Sequence, residues 1–337
     1  MSASVGMAEV AKAVAAHKEG PVRVIAPFMA DIDDYSLFAT GDDAGNVQFW
    51  ELGADQMLKK VGGDRLGVGV RDMQFTEENH LVVLRETGAY VRAFMGDPET
   101  PVPCEERVKR VAGCAEEPLL YPDAPLICLC PTSGQVIMAG TTKGSLVECM
   151  PQEPGNIAVE PVLNGYTMGT SGGLKLHEGV GIGLASLSTS YNAETETETV
   201  IGGYTAGYVV TWVLGEGHAT GQVCVAHTLP VVCACLTETK AVCFGDSMGA
   251  VYMAKEGSQD GDMYTRVISD STDTRVVGVV PVEGGVVAAA GETVVRLDAE
   301  LKVVSSFTLP CQVTALQAVR DKVVVGTGDG DVVVLSI

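Results

Sequence analysis

The sequence predicts an all-β protein, a seven-bladed β-propeller that forms a single domain over residues 1–337. Three observations indicate this fold class. The chain of 337 residues contains 40 glycines, a larger share than the usual ~7%. Short apolar runs recur along the chain, and each is interrupted by a glycine-containing turn. Several runs, such as residues 323–325, are apolar at consecutive positions, which is typical of strands buried on both faces.

Seven hairpins can be placed, each by a glycine between two apolar runs. The intervals between successive turn glycines are 43, 56, 63, 42, 42 and 39 residues. Four of these six intervals lie close to the ~40–45 residues of a propeller blade, which is a four-stranded antiparallel sheet. The predicted turn glycines are Gly45, Gly88, Gly144, Gly207, Gly249, Gly291 and Gly330.

An apolar segment precedes each hairpin and is predicted to form the innermost strand of its blade, facing a central channel. The polar exceptions in these segments include Arg23, Asp72 and Arg275. A hydrolase with a metal in the channel would need acidic, His or Asn side chains from several of these strands, so this enzyme hypothesis is disfavoured. The segments cover residues 21–28, 69–75, 125–131, 179–187, 230–236, 275–282 and 312–319.

The last blade is predicted to borrow a strand from the start of the chain. The sequence ends on VVVLSI, which supplies only a third strand, and a missing fourth strand would leave an open sheet edge. Residues 9–17 (EVAKAVAAH) can fill this place and close the ring with an N-terminal strand. The alternative for this segment is a short helix, because Ala and Lys favour helices.

Acidic residues concentrate in segments between the predicted strands. Residues 188–199 are predicted to form a mobile acidic loop within the fourth blade, either as a partner site or as an unconstrained insertion. Other acidic loops indicate a surface for partner proteins with basic patches. The candidate partner-binding residues are Asp31, Asp33, Asp34, Glu77, Glu78, Glu116 and Glu117.

The net charge of the chain indicates which classes of partner are disfavoured. A formal net charge of −21 disfavours nucleic acid, because a strongly acidic surface repels phosphate groups. No apolar run reaches the ~18 residues of a membrane span. The N-terminal residues lack the basic and apolar regions of a signal peptide. We therefore expect a cytoplasmic or nuclear protein that is monomeric within a larger hetero-complex.

The ten cysteines favour packing over metal binding. In the pairs Cys128/Cys130 and Cys233/Cys235, a spacing of two places both thiols on one face of a strand. A zinc site would favour C-x-x-C pairs at a fixed spacing, and none is present in the sequence. We expect buried, reduced thiols, and no metal or cofactor.

The sequence contains no recognisable catalytic motif. G-x-S-x-G, G-x-x-x-x-G-K-[ST] and H-E-x-x-H are all absent, and the glycine-rich residues 326–331 lie in a strand-to-strand turn. We therefore predict a non-enzymatic scaffold for protein–protein interaction. The alternative is a reader of basic, Lys/Arg-rich peptide tails at the mouth of the channel. Aromatic residues, at 5% of the chain, are too few to favour a full aromatic cage.

The repeat pattern resembles the WD40 family over nearly the whole chain. His17 and His227 resemble the histidines that precede the first strand of a blade in that family. Trp50 and Trp212 resemble the tryptophans that end the third strand. The family's turn Asp before Gly is matched only by Asp329. The family's His–Ser/Thr–Asp–Trp hydrogen-bond set is therefore expected to be incomplete in every blade.

A narrower resemblance covers about a fifth of the chain. Residues 174–231 and the ending GTGDGDVVVLSI resemble the ASTRA-associated protein 1 family, also called guanine-nucleotide-binding β-subunit-like protein 1. This resemblance implies a scaffold in the assembly of phosphatidylinositol-3-kinase-related kinases or of chromatin regulators.

Overall fold

Every regular element in the described part of the chain is a β-strand, and no helix occurs there. A computed structural model gives the architecture. It describes residues 6–28, 35–76, 81–85, 90–91, 117–118, 125–132, 136–151, 157–163, 183–192, 195, 197–215, 218–254, 263–268 and 274–337.

The strands are numbered along the chain. Those before the third blade are β1 (Ala8–Ala13), β2 (Val22–Pro27), β3 (Tyr35–Asp42), β4 (Asn46–Gly53), β5 (Leu58–Arg65), β6 (Val70–Phe75), β7 (Leu81–Arg85), β8 (Tyr90–Val91) and β9 (Glu117–Pro118). The third and fourth blades contain β10 (Leu126–Pro131), β11 (Ile137–Thr141), β12 (Leu146–Pro151), β13 (Ile157–Leu163), β14 (Leu184–Asn192), β15 (Thr197–Tyr204), β16 (Tyr208–Gly215) and β17 (His218–Ala226). The remaining strands are β18 (Val231–Leu236), β19 (Val242–Asp246), β20 (Ala250–Ala254), β21 (Met263–Val267), β22 (Val276–Val282), β23 (Gly285–Ala290), β24 (Thr293–Asp298), β25 (Val303–Thr308), β26 (Val313–Val319), β27 (Lys322–Thr327) and β28 (Val332–Ser336).

These strands form a β-propeller in which six blades are complete four-stranded antiparallel sheets within the described residues. Numbered as in the seven-blade prediction, the first blade is β2–β5, the third β10–β13, the fourth β14–β17, the fifth β18–β21 and the sixth β22–β25. The last blade combines β26, β27 and β28 with β1. Between the first and third blades lie two shorter sheets, β6–β7 and β8–β9.

The innermost strands contact one another in a cycle. Strand β2 contacts β6, β6 contacts β10, and the contacts continue through β14, β18, β22 and β26 back to β2. Residues from all seven of these strands line one central channel. The predicted inner segments therefore occupy the expected place, although the strand predicted at 179–187 begins at Leu184 and residues 179–182 lie outside the described part of the chain.

Apolar seams between adjacent sheets form the core. Residues 323–325 in β27 are all fully buried, and so are residues 332–334 in β28. A strand in the interior of a blade packs against a neighbouring blade on each face, so apolar side chains are needed at successive positions. Alternate residues accordingly belong to different clusters: Val323 and Val325 pack towards the sixth blade, and Val324 packs towards the first.

The first and last described strands pair with each other. Strand β1 is antiparallel to β28, with Ala8 opposite Ser336 and Ala13 opposite Val332. The Lys12 ammonium lies 2.8 Å from the Asp331 carboxylate, and the backbone N–H of Ala15 donates to the same side chain at 2.7 Å. The segment at 9–17 is therefore a strand as far as Ala13, followed by turns and bends, and it is not a helix.

The described hairpin turns share one backbone feature, a glycine in the left-handed conformation. The turn glycine has a positive φ, for example 85° at Gly45 and 89° at Gly207, and a Cβ at either position would collide with a backbone carbonyl oxygen. Gly144, Gly249, Gly291 and Gly330 also have positive φ, whereas Gly88 lies outside the described residues. In four hairpins a side chain three residues before the glycine accepts a hydrogen bond from the backbone N–H one residue after it. These acceptors are Asp42, Thr141, Asp246 and Thr327.

The expectation that no blade carries a complete polar set was wrong for the first blade. Trp50 Nε1 donates to Thr40 Oγ1 at 2.8 Å, and that hydroxyl lies 2.7 Å from His17 Nε2. His17 Nδ1 lies 2.8 Å from Asp42 Oδ2. The prediction considered only an Asp directly before the turn glycine, whereas Asp42 lies three residues before Gly45.

The fourth blade contains an equivalent tryptophan without this network. The strand register places Trp212 opposite Val200, as Trp50 lies opposite Phe38. Gly202 therefore occupies the position of Thr40. Trp212 is 1% exposed, and its Nε1 has no hydrogen-bond partner among the described residues.

The stretch predicted as a mobile acidic loop, residues 188–199, is partly strand. Strand β14 continues through Asn192, and β15 begins at Thr197, directly opposite Asn192 in the register. Thr and Tyr favour the extended conformation, which accounts for the longer strands. Residues 193, 194 and 196 lie outside the described part, so the prediction of a loop there stays a prediction.

Candidate functional site

The central channel has a volume of about 470 Å³ and is walled by the seven innermost strands. Apolar and polar residues both line this channel. Charged side chains among them are Arg23, Arg71 and Asp72, and their positions distinguish one part of the channel from another.

A β-bulge at the start of each innermost strand aims one side chain at the channel. In β2, for example, the register shifts between Val22 and Val24, so Arg23 is the extra residue. A bulge redirects the side chain of the extra residue and increases the local twist. The same shift recurs at the second residue of all seven strands, and all seven extra residues line the channel. They are Arg23, Arg71, Ile127, Ala185, Val232, Val277 and Thr314.

One mouth of the channel carries three arginines around a cavity of about 380 Å³. Arg23 and Arg71 are bulge residues, and Arg275 directly precedes β22. The Arg23 guanidinium contacts Asp43 through two nitrogens, one of them at 2.7 Å, so its orientation is fixed. Arg71 and Arg275 are exposed, and neither makes a hydrogen bond or salt bridge to any other described residue.

Charge is distributed unevenly around this mouth, which we call the arginine mouth. Following the cycle of strands, Arg275 lies directly before β22, and the next three innermost strands, β26, β2 and β6, contribute Thr314, Arg23 and Arg71. The strands β14 and β18 on the other side contribute Ala185 and Val232. The arginine mouth therefore has a basic arc and an apolar arc.

Asp72 lies in the channel wall beside Arg71. Its Oδ2 accepts a hydrogen bond from the backbone N–H of Leu129 at 2.7 Å, which joins β6 to β10, and Oδ1 accepts from the N–H of Met73 at 2.8 Å. Burial raises the pKa of Asp72 to about 7, although both hydrogen bonds and the nearby Arg71 charge oppose the rise. Because its pKa is near neutrality, this carboxyl offsets the arginines less than an exposed Asp would.

The cysteines of the innermost strands are structural. Burial raises the pKa of the Cys233 thiol to about 12 and also raises that of Cys128, so both are protonated at neutral pH. No cluster of three or more His, Cys, Asp or Glu side chains able to hold a metal occurs in the described residues. The buried free cysteines are Cys128, Cys130, Cys149, Cys233, Cys235 and Cys243.

The structure does not test the predicted partner-binding acids, which stay a prediction. Asp31, Asp33, Asp34, Glu77, Glu78 and Glu116 lie outside the described residues, and Glu117 is described only as backbone in β9. In the sequence, Arg23 and Arg275 stand out as polar exceptions, but nothing there places them at one site, and Arg71 is not among the predicted site residues. Their common signal is a charged residue at the start of an otherwise apolar segment.

No helix in the described part of the chain is long and apolar enough to cross a membrane.

Comparison with known proteins shows the fold and no more specific relationship. No family model matches the chain, and no curated protein matches its sequence. Among solved structures, Sqt1 from Saccharomyces cerevisiae is similar with a TM-score of 0.65 and 14% sequence identity, covering 99% of this chain and 100% of that one. The computationally designed protein Ika8 is similar with a TM-score of 0.56 and 16% identity, covering 98% and 99%. At this level of identity, these likenesses show that the chain folds as a β-propeller. The His17–Thr40–Asp42–Trp50 network is the polar set that the resemblance to the WD40 family implies.

Proposed function

We propose that this protein is a non-enzymatic scaffold that binds a partner protein at the face carrying the arginine mouth. One observation carries this proposal: Arg23, Arg71 and Arg275 converge at the open end of the channel, where a partner can reach them. Charged residues held by a rigid framework at an open mouth are suited to recognition. The fold itself supports a binding role, since propellers present broad, loop-lined faces.

We further propose that the ring has seven blades and is closed by the N-terminal strand. Two observations support this: the seven innermost strands contact one another in a cycle, and β1 supplies the fourth strand of the last blade. In this arrangement the short sheets β6–β7 and β8–β9 belong to the second blade. A closed ring keeps the mouth residues of different blades at fixed distances, which preorganises the site.

The alternative function, a reader of basic peptide tails at the mouth of the channel, stays a prediction. Arginines repel Lys/Arg-rich segments, so such a tail would meet like charge there. A role in kinase assembly or chromatin regulation rests on the sequence resemblance and stays a prediction. A cytoplasmic or nuclear location and the acidic partner surface stay predictions in the same way.

The scaffold hypothesis is tested by purifying the tagged full chain with its partners from its own cells. We expect a stoichiometric partner protein at low salt and its release at high salt, because charge steers the contact. Hydroxyl-radical footprinting of the complex should protect the residues of the arginine mouth and leave the exposed outer strand β25 reactive. Recovery of no stoichiometric partner, or protection of β25 alone, would contradict the proposal.

A further inference from the structure

We infer that the arginine mouth binds an acidic peptide segment that also carries an apolar side chain. The inference rests on the proposed scaffold function and specifies the chemistry of the ligand. It follows from the juxtaposition of Arg71 and Arg275 with the apolar arc formed by Ala185 and Val232.

The arginine mouth is a local concentration of positive charge in an acidic protein. The whole chain has a formal net charge of −21, and yet three cationic side chains meet around one cavity of about 380 Å³. Asp43 is the one acidic side chain that lines this cavity among the described residues, and Arg23 already holds it. The guanidinium groups of Arg71 and Arg275 therefore remain available for an anionic ligand.

The arginine side chains and the charge of the surrounding surface together favour one type of anion. A guanidinium presents paired N–H donors whose geometry matches a carboxylate or a phosphate. A nucleic acid would bring many phosphates against a protein surface that is acidic overall, and repulsion outside the mouth would oppose binding. A short acidic segment of a protein can place its carboxylates at the mouth without this cost.

The apolar arc of the mouth favours a ligand that also carries an apolar side chain. Ala185 and Val232 of the apolar arc, together with the adjacent Val277 of β22, are half-buried bulge residues of consecutive innermost strands, and all three line the same cavity as the arginines. A ligand with charge alone would leave this side of the mouth in contact with water. An apolar side chain next to the carboxylates would bury the arc, and burial of apolar surface adds affinity.

The direct test is fluorescence anisotropy with the full chain and labelled peptides. The first peptide repeats Glu-Leu-Glu units separated by glycine; in the others, Gln replaces Glu, Ala replaces Leu, or Lys replaces Glu. We expect the Glu-Leu peptide to bind at least about tenfold more tightly than the Gln-Leu and Lys-Leu peptides, since charge-assisted contacts are the strong ones. The Glu-Ala peptide should bind several-fold more weakly than the Glu-Leu peptide.

Two variants locate the binding site. Arg71→Gln combined with Arg275→Gln should reduce affinity for the Glu-Leu peptide about tenfold or more, because two charged contacts are lost. Arg266→Gln is the matched control: Arg266 is also exposed but lies on the outer strand β21, and its loss should leave affinity unchanged. All three mutated positions are exposed, so far-UV circular dichroism should show the variants folded.

Three outcomes would overturn the inference. They are equal binding of the Glu and Gln peptides, no loss of affinity in the double variant, and tighter binding of a single-stranded oligonucleotide than of the Glu-Leu peptide. A natural partner that protects the mouth but binds the double variant normally would leave the scaffold function standing and remove the inference alone.

Discussion

The first and fourth blades each bury a tryptophan at the same register position, but different interactions stabilise the two side chains. In the first blade, Trp50 donates to Thr40, and the network continues through His17 to Asp42. In the fourth blade, Gly202 replaces Thr40 and Tyr204 replaces Asp42, so Trp212 is held by packing. The same blade geometry is therefore compatible with a polar network or with apolar contacts alone.

The first blade's network is consistent as a chain of donors and acceptors. If His17 is neutral with its proton on Nδ1, it donates to Asp42, accepts from the Thr40 hydroxyl, and leaves the Thr40 oxygen to accept from Trp50. Burial lowers the pKa of His17 despite the neighbouring carboxylate, which favours this neutral form. In the fourth blade the Tyr204 hydroxyl points elsewhere and donates to the Gly144 carbonyl of the third blade at 3.1 Å.

Substitution at the position of Asp42 should produce the largest difference in stability between the two blades. Asp42→Ala removes an acceptor of bonds from His17, Asn46 and two backbone N–H groups, so we expect a loss of about 3–5 kcal/mol in the free energy of unfolding. Tyr204→Phe at the equivalent position removes one hydrogen bond and should cost about 1 kcal/mol. Urea denaturation measures both values. Equal costs would show that the polar network contributes nothing beyond a single bond.

The next effect tests whether the fourth blade can tolerate a side chain where the first has Thr40. A Cβ at Gly202 would lie 2.6 Å from Leu184 Cδ2 and 2.8 Å from Trp212 Cζ3. Gly202→Ala should therefore destabilise the protein by about 2 kcal/mol through overpacking. Gly328→Ala is the control, because its Cβ would find no atom closer than 3.7 Å. If both variants are equally stable, the close packing of Trp212 is not the reason why position 202 is a glycine.

A smaller effect separates the two tryptophans themselves. Trp50→Phe and Trp212→Phe lose similar packing, but only the first removes a hydrogen bond within the described residues. We expect Trp50→Phe to cost about 1 kcal/mol more than Trp212→Phe. The chain has two tryptophans, so the remaining one reports unfolding by its fluorescence in each variant. A larger cost for Trp212→Phe would reverse the interpretation of which blade depends on the polar network.

The smallest effect is a pH dependence confined to the first blade. The folded pKa of His17 is lowered below its ordinary value of 6.5, so the unfolded chain binds more protons at mildly acidic pH. The stability associated with His17 is therefore present above pH 6.5 and is lost as the pH falls below it. His17→Asn should be less stable at pH 8, and the gap to the wild type should narrow towards pH 5. Denaturation at several pH values checks this, and a constant gap would contradict it.

The sequence predicted the hairpins well because they depend on local rules. A positive φ at Gly45 or Gly207 is a requirement of the turn itself and shows in the residue type. The role of Asp42 does not follow from a pattern that considers only the residue directly before the turn glycine, because Asp42 lies three residues before Gly45. The arginine mouth could not be predicted, since it depends on a bulge at Arg71 and on which strands are neighbours around the ring. Pairing register and ring order are long-range properties.

The pairing of β1 with β28 has a consequence for synthesis on the ribosome. Ala8 and Ser336 are 328 residues apart in the chain, yet their side chain and backbone exchange hydrogen bonds. At ~5–20 residues per second, the N-terminal segment waits tens of seconds for the strand it joins. During that interval β1 has no partner strand, and an unpaired strand is a surface on which chaperones can act.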